Sequence, residues 1–190
     1  MHFLAELKNN HPPLALIESV NYEQVLPGKY TGFEIVPSER GERMETLVPP
    51  DVGICEDCRR ELLDPADRRY GYPFINCTNC GPRFTIIKSV PYDRASTSMA
   101  EFPMCPDCAA EFADIRDRRY HAQPDCCPAC GPRCSFLDAD GRPVPGDAVE
   151  LARAALKAGQ IICVKGLGGM HLACLPDGDT VRELRARKRR

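Results

Sequence analysis

Eight of the chain's twelve cysteines stand in four Cys-x-x-Cys pairs: Cys55/Cys58, Cys77/Cys80, Cys105/Cys108 and Cys127/Cys130. The stretches between successive pairs are 18, 24 and 18 residues long. Two thiolates in one turn grip a soft cation from one side, and two such pairs close a tetrahedron around it. Four pairs therefore predict two structural zinc ions, with iron the competing occupant of a tetrahedral thiolate cage. A redox dithiol is a poorer reading. It needs one exposed, low-pKa thiol at a helix start in a thioredoxin-like setting, and four evenly ruled pairs do not offer that.

A shift of 50 residues lays the sequence on itself. Cys55, Cys58, Glu61, Asp64, Asp67, Arg68, Arg69, Tyr70, Cys77, Cys80, Gly81, Pro82 and Arg83 fall on Cys105, Cys108, Glu111, Asp114, Asp117, Arg118, Arg119, Tyr120, Cys127, Cys130, Gly131, Pro132 and Arg133. This is an internal duplication, and each copy owns a complete set of four thiols. The self-sufficient repeat favours a sequential assignment: Cys55, Cys58, Cys77 and Cys80 on one ion, Cys105, Cys108, Cys127 and Cys130 on the other. An interleaved assignment, outer pairs on one ion and inner pairs on the other, stays open. The second pair of each copy is followed by Gly-Pro-Arg. Glycine permits a positive φ directly after the ligand and proline fixes the exit. Asp-Arg-Arg-Tyr recurs at 67–70 and 117–120, and is read as charge pairing and stacking that hold each finger to its neighbour. His121 falls on Gly71 and is read as a packing or hydrogen-bonding residue. Cys126 and Cys134, outside the repeat register, are read as spectators. Cys163 and Cys174, in an apolar segment, are expected to be buried free thiols.

Composition narrows the class. Among 190 residues there are 25 Lys and Arg against 27 Asp and Glu, a formal charge of −2. Eight thiolates and two divalent ions would take it to about −6. A nucleic-acid-binding zinc ribbon, the alternative function, would show a basic excess, and this chain has none. A disulfide framework would need an oxidising compartment, and the charge-broken start, Met-His-Phe-Leu-Ala-Glu-Leu-Lys, has no apolar signal core. No stretch approaches the ~18–20 apolar residues of a membrane span. The expected setting is cytoplasmic.

The positioning elements fall into pieces: residues 1–50, a first finger at 51–100, a second at 101–140, and an α/β segment at 146–190. Phe3, Leu4 and Leu7 have helical spacing, and His11-Pro12-Pro13 stops the helix. Leu14 to Val20 and Gly32 to Val36 read as strands, with Pro27-Gly28-Lys29 between them. Asp147 and Glu150 form a capping-box signature; Leu151, Ala152, Ala155 and Leu156 follow on one face, and Gly159 closes the helix. Ile161 to Val164 reads as a strand running into Lys165-Gly166-Leu167-Gly168-Gly169, a turn able to offer backbone N–H groups to a phosphate. It is not a Walker motif, because the lysine precedes the glycines. Thr180 to Glu183 reads as a second capping box. The chain is expected to begin and end inside domains. The fold class is thus a multi-part α+β fragment, with a duplicated, loop-rich zinc-finger block of two four-cysteine sites that depends on metal more than on an apolar core.

Over essentially its whole length the chain resembles the [NiFe]-hydrogenase maturation carbamoyltransferase family, HypF. The resemblance is carried by the four pairs, by Asp67-Arg68-Arg69-Tyr70, Tyr72-Pro73-Phe74 and Asn76-Cys77-Thr78-Asn79-Cys80-Gly81-Pro82-Arg83-Phe84-Thr85-Ile86. It continues in Pro91-Tyr92-Asp93-Arg94, His121-Ala122-Gln123-Pro124, Cys127-Pro128-Ala129-Cys130-Gly131-Pro132 and Lys165-Gly166-Leu167-Gly168-Gly169-Met170-His171-Leu172-Ala173-Cys174. It implies that residues 1–50 are the last part of a ferredoxin-like acylphosphatase domain, without its arginine-bearing glycine-rich loop. It likewise implies that 146–190 opens a YrdC-like nucleotide domain. It also implies carbamoyl phosphate and ATP as substrates, and a HypE-like partner whose C-terminal cysteine receives the carbamoyl group on the way to the hydrogenase cyanide ligand. By the same resemblance Lys165, Gly166, Gly168, Gly169, Lys188 and Arg189 belong to a nucleotide site, and a chain of this extent is expected to be inactive alone.

Overall fold

The structure is a computed structural model and describes residues 2–11, 14–26, 28, 32 and 48–190. The chain divides into two compact units, 1–130 and 131–190.

In the first unit, α1 (His2–Asn9) ends before His11 as its prolines predict, but buries no residue. The expected strand at Leu14 to Val20 does not form: beyond a turn at Leu14, residues 15–26 have no regular element. A strand needs a partner ladder, none of the described residues supplies one, and Leu16 is left 86% exposed. The second expected strand and its turn lie largely outside the described residues.

The duplication is reproduced in the backbone. Helix α2 (Glu56–Leu63) and α3 (Pro106–Ala113) are eight residues each, start from Cys55 and Cys105 in extended conformation, and stop at Asp64 and Asp114 with ψ 112° in both. Acidic residues open both helices, and Pro106 takes the first turn of α3, where its missing N–H costs nothing. Each stop is followed by two aspartate turns. Asp64 Oδ1 accepts from Ala66 N (2.9 Å) and Asp67 Oδ1 from Arg69 N (2.7 Å). In the second copy Asp114 and Asp117 repeat this with Arg116 N (3.0 Å) and Arg119 N (2.7 Å). These turns swing the paired arginines out of their own finger. Two 3₁₀ turns, Arg94–Ser96 and Ser98–Glu101, connect the copies. Arg94 ties this connector to the second finger by donating to the carbonyls of Gln123 (2.7 Å), Asp125 (2.8 Å) and Phe102 (2.6 Å).

The core of this unit is small and sulfur-rich. Its buried cluster is Cys58, Tyr72, Ile75, Cys77, Cys80, Ile86, Met99 and Cys126. Half of these are cysteines, so the expected reliance on something other than apolar burial is visible in the packing.

In the second unit, β1 (Phe136–Leu137) and β2 (Pro143–Val144) form a short antiparallel hairpin. Helix α4 (Ala148–Lys157) follows the sequence pattern, with Asp147 Oδ1 accepting from Val149 N and Glu150 N at 2.9 Å. The capping box is only half made, because Glu150 turns to Arg153 (2.5 Å) instead of back to the cap. Gly159 closes the helix at φ 74°, with Gln160 N reaching Ala155 O (3.0 Å). Strand β3 (Ile162–Gly166) pairs antiparallel with β4 (Gly169–Ala173), which periodicity missed. Helix α5 (Gly178–Lys188) starts earlier than expected. Its cap is Asp177, whose Oδ1 accepts from Thr180 N (2.8 Å), so Thr180 lies inside the first turn and is not the cap. Cys163 corrects a further expectation: it is exposed and Cys174 only half-buried. The hairpin meets α4 through β3, and among the described residues no second layer covers its middle.

Candidate metal centres

The sulfurs converge within each repeat, not across repeats. Cys55, Cys58, Cys77 and Cys80 form one group and Cys105, Cys108, Cys127 and Cys130 another, all ligand atoms of a group lying within 4.8 Å of one another. Sulfur–sulfur separations are 3.7 Å for Cys55–Cys77, 3.8 Å for Cys77–Cys80, 3.7 Å for Cys105–Cys127, 3.8 Å for Cys127–Cys130 and 3.7 Å for Cys108–Cys130. A disulfide requires about 2.05 Å, so these are not disulfides. A tetrahedron with sulfur about 2.3 Å from its centre has edges of about 3.8 Å. The observed edges fit a tetrahedral zinc-sized ion in both groups.

Local backbone prepares the thiolates. Asn79 N donates to Cys77 Sγ (3.3 Å). Close contact with the Cys58 and Cys80 thiols pulls Cys77 well below the ordinary thiol range, while the contacts of Cys58 with Cys77 and Cys80 push it above that range. The backbone N–H of Cys108, at the start of α3, lowers Cys105 to about 7. Gly81 has φ 100°, and a Cβ there would meet Asn76 Cβ at 2.5 Å, so glycine is required twice over. Arg83 wraps the same turn, donating to the carbonyls of Cys77 (2.9 Å), Thr78 (2.9 Å) and Pro82 (2.8 Å). Its repeat partner Arg133 is exposed.

The paired arginines cross between fingers. Arg68 Nη2 donates to Glu111 Oε2 (2.5 Å) and Cys108 Sγ (3.3 Å). Arg118 returns the contact through Nε to Glu61 Oε1 (3.1 Å) and Nη1 to Cys58 Sγ (3.2 Å). Arg69 and Arg119, almost fully buried, each donate through Nε to a carbonyl of the other finger, Cys126 O (2.9 Å) and Asn76 O (3.0 Å). Arg69 also pairs with Glu111 (2.5 Å) and Asp125 (2.9 Å), and Arg119 with Glu61. The charge-pairing part of the Asp-Arg-Arg-Tyr reading is borne out. The stacking part is not: among the described residues, the ring contacts of Tyr120 and Phe112 are with His121, inside the second finger.

Asp125 is the residue the repeat could not reveal, because it falls on Ile75. It is fully buried, its Oδ2 has no hydrogen-bond partner, and burial outweighs the nearby guanidiniums to push its carboxyl up to about 6. Cys108, Glu111 and Asp125 also lie within ligand distance of one another. Arginine fills that space, however, and Cys108 already serves the second sulfur group. Cys126 belongs to neither group. It is buried beside Tyr72 Oη (3.5 Å), and burial pushes its thiol up to about 11. His121 has φ 53° and stacks on Phe112 at 4.9 Å, as a packing residue does.

The residues expected at a nucleotide site lie in the second unit. Gly166 pairs with Gly169, Lys165 with Met170, and Leu167-Gly168 form the two-residue hairpin tip. The glycine run therefore returns into a strand and does not lead into a helix N-terminus. Lys165, Lys188 and Arg189 are exposed, the last as the left-handed cap of α5.

Comparison with known proteins places this geometry. The HypF finger family matches residues 54–87 and 104–137, one match per repeat. Carbamoyltransferase HypF of Rhodobacter capsulatus is 53% identical over 190 residues, covering 99% of this chain and 25% of that protein. The chain belongs to the HypF family. Carbamoyltransferase HypF2 of Cupriavidus necator is 52% identical over 188 residues, 97% of this chain and 23% of its own length. A solved full-length HypF in a phosphate- and nucleotide-bound form superposes with TM-score 0.88 at 49% identity, covering 100% of this chain and 25% of that one. HypF of T. kodakarensis gives 0.81 at 45% identity, covering 100% of this chain and 24% of its own. The chain thus spans about a quarter of the length of these relatives, and the two four-cysteine groups are its pair of HypF fingers. Among the described residues no helix is long and apolar enough to cross a membrane.

Proposed function

We propose that this chain is the double-zinc segment of a carbamoyltransferase that acts in [NiFe]-hydrogenase maturation. Cys55, Cys58, Cys77 and Cys80 hold one zinc; Cys105, Cys108, Cys127 and Cys130 hold the other. The observation that carries the metal assignment is the sulfur spacing of 3.7–3.8 Å in both groups. Zinc supplies a four-way cross-link, and the chain's own residues do the rest: backbone N–H groups favour the thiolates, Arg83 braces one turn, and the crossed arginines join the fingers. The sites are closed by four protein ligands, which is the structural and not the catalytic pattern.

The enzymatic part of the proposal belongs to the longer protein. It uses carbamoyl phosphate and ATP, and carbamoylates the C-terminal cysteine of a HypE-like partner in the cytoplasm. Its support is the carbamoyltransferase naming of relatives matched along nearly the whole chain. In that protein residues 1–50 would close an acylphosphatase-like domain and 146–190 would open a YrdC-like one. Lys165, Gly166, Gly168, Gly169, Lys188 and Arg189 would join the nucleotide site, the exposed cations facing phosphate.

The test has two readouts. Metal analysis of the chain should give two zinc per molecule; a value near zero or one refutes the metal assignment. The full-length protein with carbamoyl phosphate, ATP and the partner should add one carbamoyl mass to the partner's terminal cysteine, while this chain alone should add none. Transfer by the chain alone, or none by the full-length protein, overturns the enzymatic reading.

A further inference from the structure

Each metal closes a loop that serves the other metal. The first sulfur group closes the stretch from Cys58 to Cys77, which contains Arg68 and Arg69. Those arginines touch Cys108, Glu111, Asp125 and Cys126, all in the second finger. The second group closes the stretch from Cys108 to Cys127, which contains Arg118 and Arg119. They touch Cys58, Glu61 and Asn76, all in the first.

The contacts bear on the ligands themselves. Arg68 Nη2 lies 3.3 Å from Cys108 Sγ and Arg118 Nη1 3.2 Å from Cys58 Sγ. Four thiolates around one divalent ion leave a negative site, and a guanidinium hydrogen bond to the sulfur stabilises that charge. The glutamate one helical turn after each bonded cysteine, Glu61 or Glu111, holds the incoming arginine in place. A finger whose loop is closed therefore presents its arginines already oriented, and their conformational freedom is already lost before the other finger loads.

We propose that the two zinc sites are thermodynamically coupled through these crossed arginines, so that filling either site tightens the other. Arg68 and Arg118 are the positioning residues that carry the coupling to sulfur. Arg69 and Arg119 are the buried fastening that keeps the two fingers together. Linkage requires the effect to be reciprocal, and the geometry is reciprocal contact by contact. The inference rests on zinc occupancy as proposed above.

The experiment is zinc titration of the reduced, metal-free full chain, read by native mass spectrometry, with metal analysis at saturation. At one equivalent, independent sites leave about half the molecules or more with a single ion, whereas tenfold coupling, within the usual range for linked sites, leaves about a quarter. We expect about a quarter for the natural chain. The double variant Arg68→Met with Arg118→Met should return the single-ion population to half or above while still binding two zinc. Both arginines are partly solvent-exposed, 30% and 25% at the side chain, so their loss should spare the fold. Its cobalt-loaded form should also show a sulfur-to-cobalt charge-transfer band at lower energy, which a purely scaffolding role would not produce.

Should the double variant misfold, a second measurement decides. In the chain carrying Cys105→Ser and Cys108→Ser, zinc should leave the first group faster than from the natural chain. Two bound zinc with half or more single-ion molecules overturns the coupling and leaves the zinc assignment standing. Low single-ion population that the double variant preserves removes the arginines from the coupling. An unchanged release rate in the cysteine variant overturns it as well. Failure to bind zinc at all refutes the underlying metal reading instead.

Discussion

Gly71 and His121 hold the same place in the two repeats and the same left-handed backbone, φ 65° and 53°. Each sends its N–H back to the preceding helix, Gly71 to Leu62 O at 2.9 Å and His121 to Phe112 O at 3.1 Å. The turn geometry belongs to the repeat, and only one copy meets it with glycine. A side chain in this region costs roughly 1–2 kcal/mol. The second copy offsets that cost by stacking His121 on Phe112, with the Tyr120 ring edge-on to it.

Gly71→Ala should therefore destabilise the first finger by about 1 kcal/mol, through backbone alone, because open space surrounds the site of its missing Cβ. His121→Gly should be close to neutral, since relief of strain and loss of stacking oppose each other. Urea unfolding at fixed free zinc compares the two. Equal losses would mean that φ is not what distinguishes them.

Removing zinc with a chelator should unfold residues 51–130 and leave α4 comparatively indifferent. The first unit's core is half cysteine, whereas α4 carries its own cap at Asp147 and its own stop at Gly159. Hydrogen exchange should show protection collapsing across α2 and α3 and persisting in α4. Uniform loss along the chain would contradict this.

Serine substitutions separate ligands from bystanders. Cys77→Ser should lose one zinc and unfold the first finger. Cys126→Ser should keep both ions and cost at most about 1–3 kcal/mol, because a buried polar atom remains near Tyr72. Cys163→Ser, on an exposed strand position, should be silent. Metal content and exchange protection of the three variants check the ranking.

Arg69→Ala should be among the most damaging substitutions, costing about 3–5 kcal/mol, because the fully buried Asp125 would lose its nearest guanidinium, keeping only Arg119 at 3.6 Å, and Glu111 would be left with Arg68 alone. Arg60→Ala, which loses only an exposed pair with Asp57, should cost less than about 1 kcal/mol. Thermal unfolding of the zinc-loaded variants gives the contrast, and similar values for the two would discredit the role of the crossed arginines in joining the fingers.

Acid should reach the crossed arginines through Glu61. Burial works against its ionisation, but hydrogen bonds from Arg118 and Arg119 outweigh it and hold the carboxyl below the ordinary glutamate range. A depressed folded-state pKa gives stability that is complete above the unfolded value, about 4.3, and is lost as pH falls through the folded one. The stability gap between the natural chain and Glu61→Gln should be widest near neutrality and narrow on acidification below that value. A gap that widens in acid would reverse the assignment.

The two four-cysteine groups were legible because ligand spacing is a local property: Cys-x-x-Cys fixes two sulfurs in one turn, and the 50-residue repeat suggests which turns face each other. The crossed arginines were half legible, since Arg68, Arg69, Glu61 and their partners recur in register although recurrence does not say who meets whom. Asp125 was invisible because its counterpart is Ile75. Helix α4 was readable from its caps. Strand β4 was not, because the glycine tip at Leu167-Gly168 resembles a phosphate loop until its hydrogen-bond register is known. The apparent strand at Leu14 to Val20 had the right residue types but no neighbour among the described residues, and strand propensity without a ladder decides little.

The arginine contacts exchange symmetrically: residue 68 meets 111 as 118 meets 61, and 69 meets 111 as 119 meets 61. That is the pattern of an isologous interface, the kind two identical subunits make across a twofold axis. The finger pair is, in this sense, a homodimer written into one polypeptide. Fusion releases the halves from having to be alike, and the differences lie where a true homodimer could not place them: Asp125 opposite Ile75, His121 opposite Gly71, Cys126 opposite Asn76, a buried Arg83 opposite an exposed Arg133. A lone finger would keep the sticky half of such an interface with nothing to cover it, so the unit that buries its own contacts is the pair.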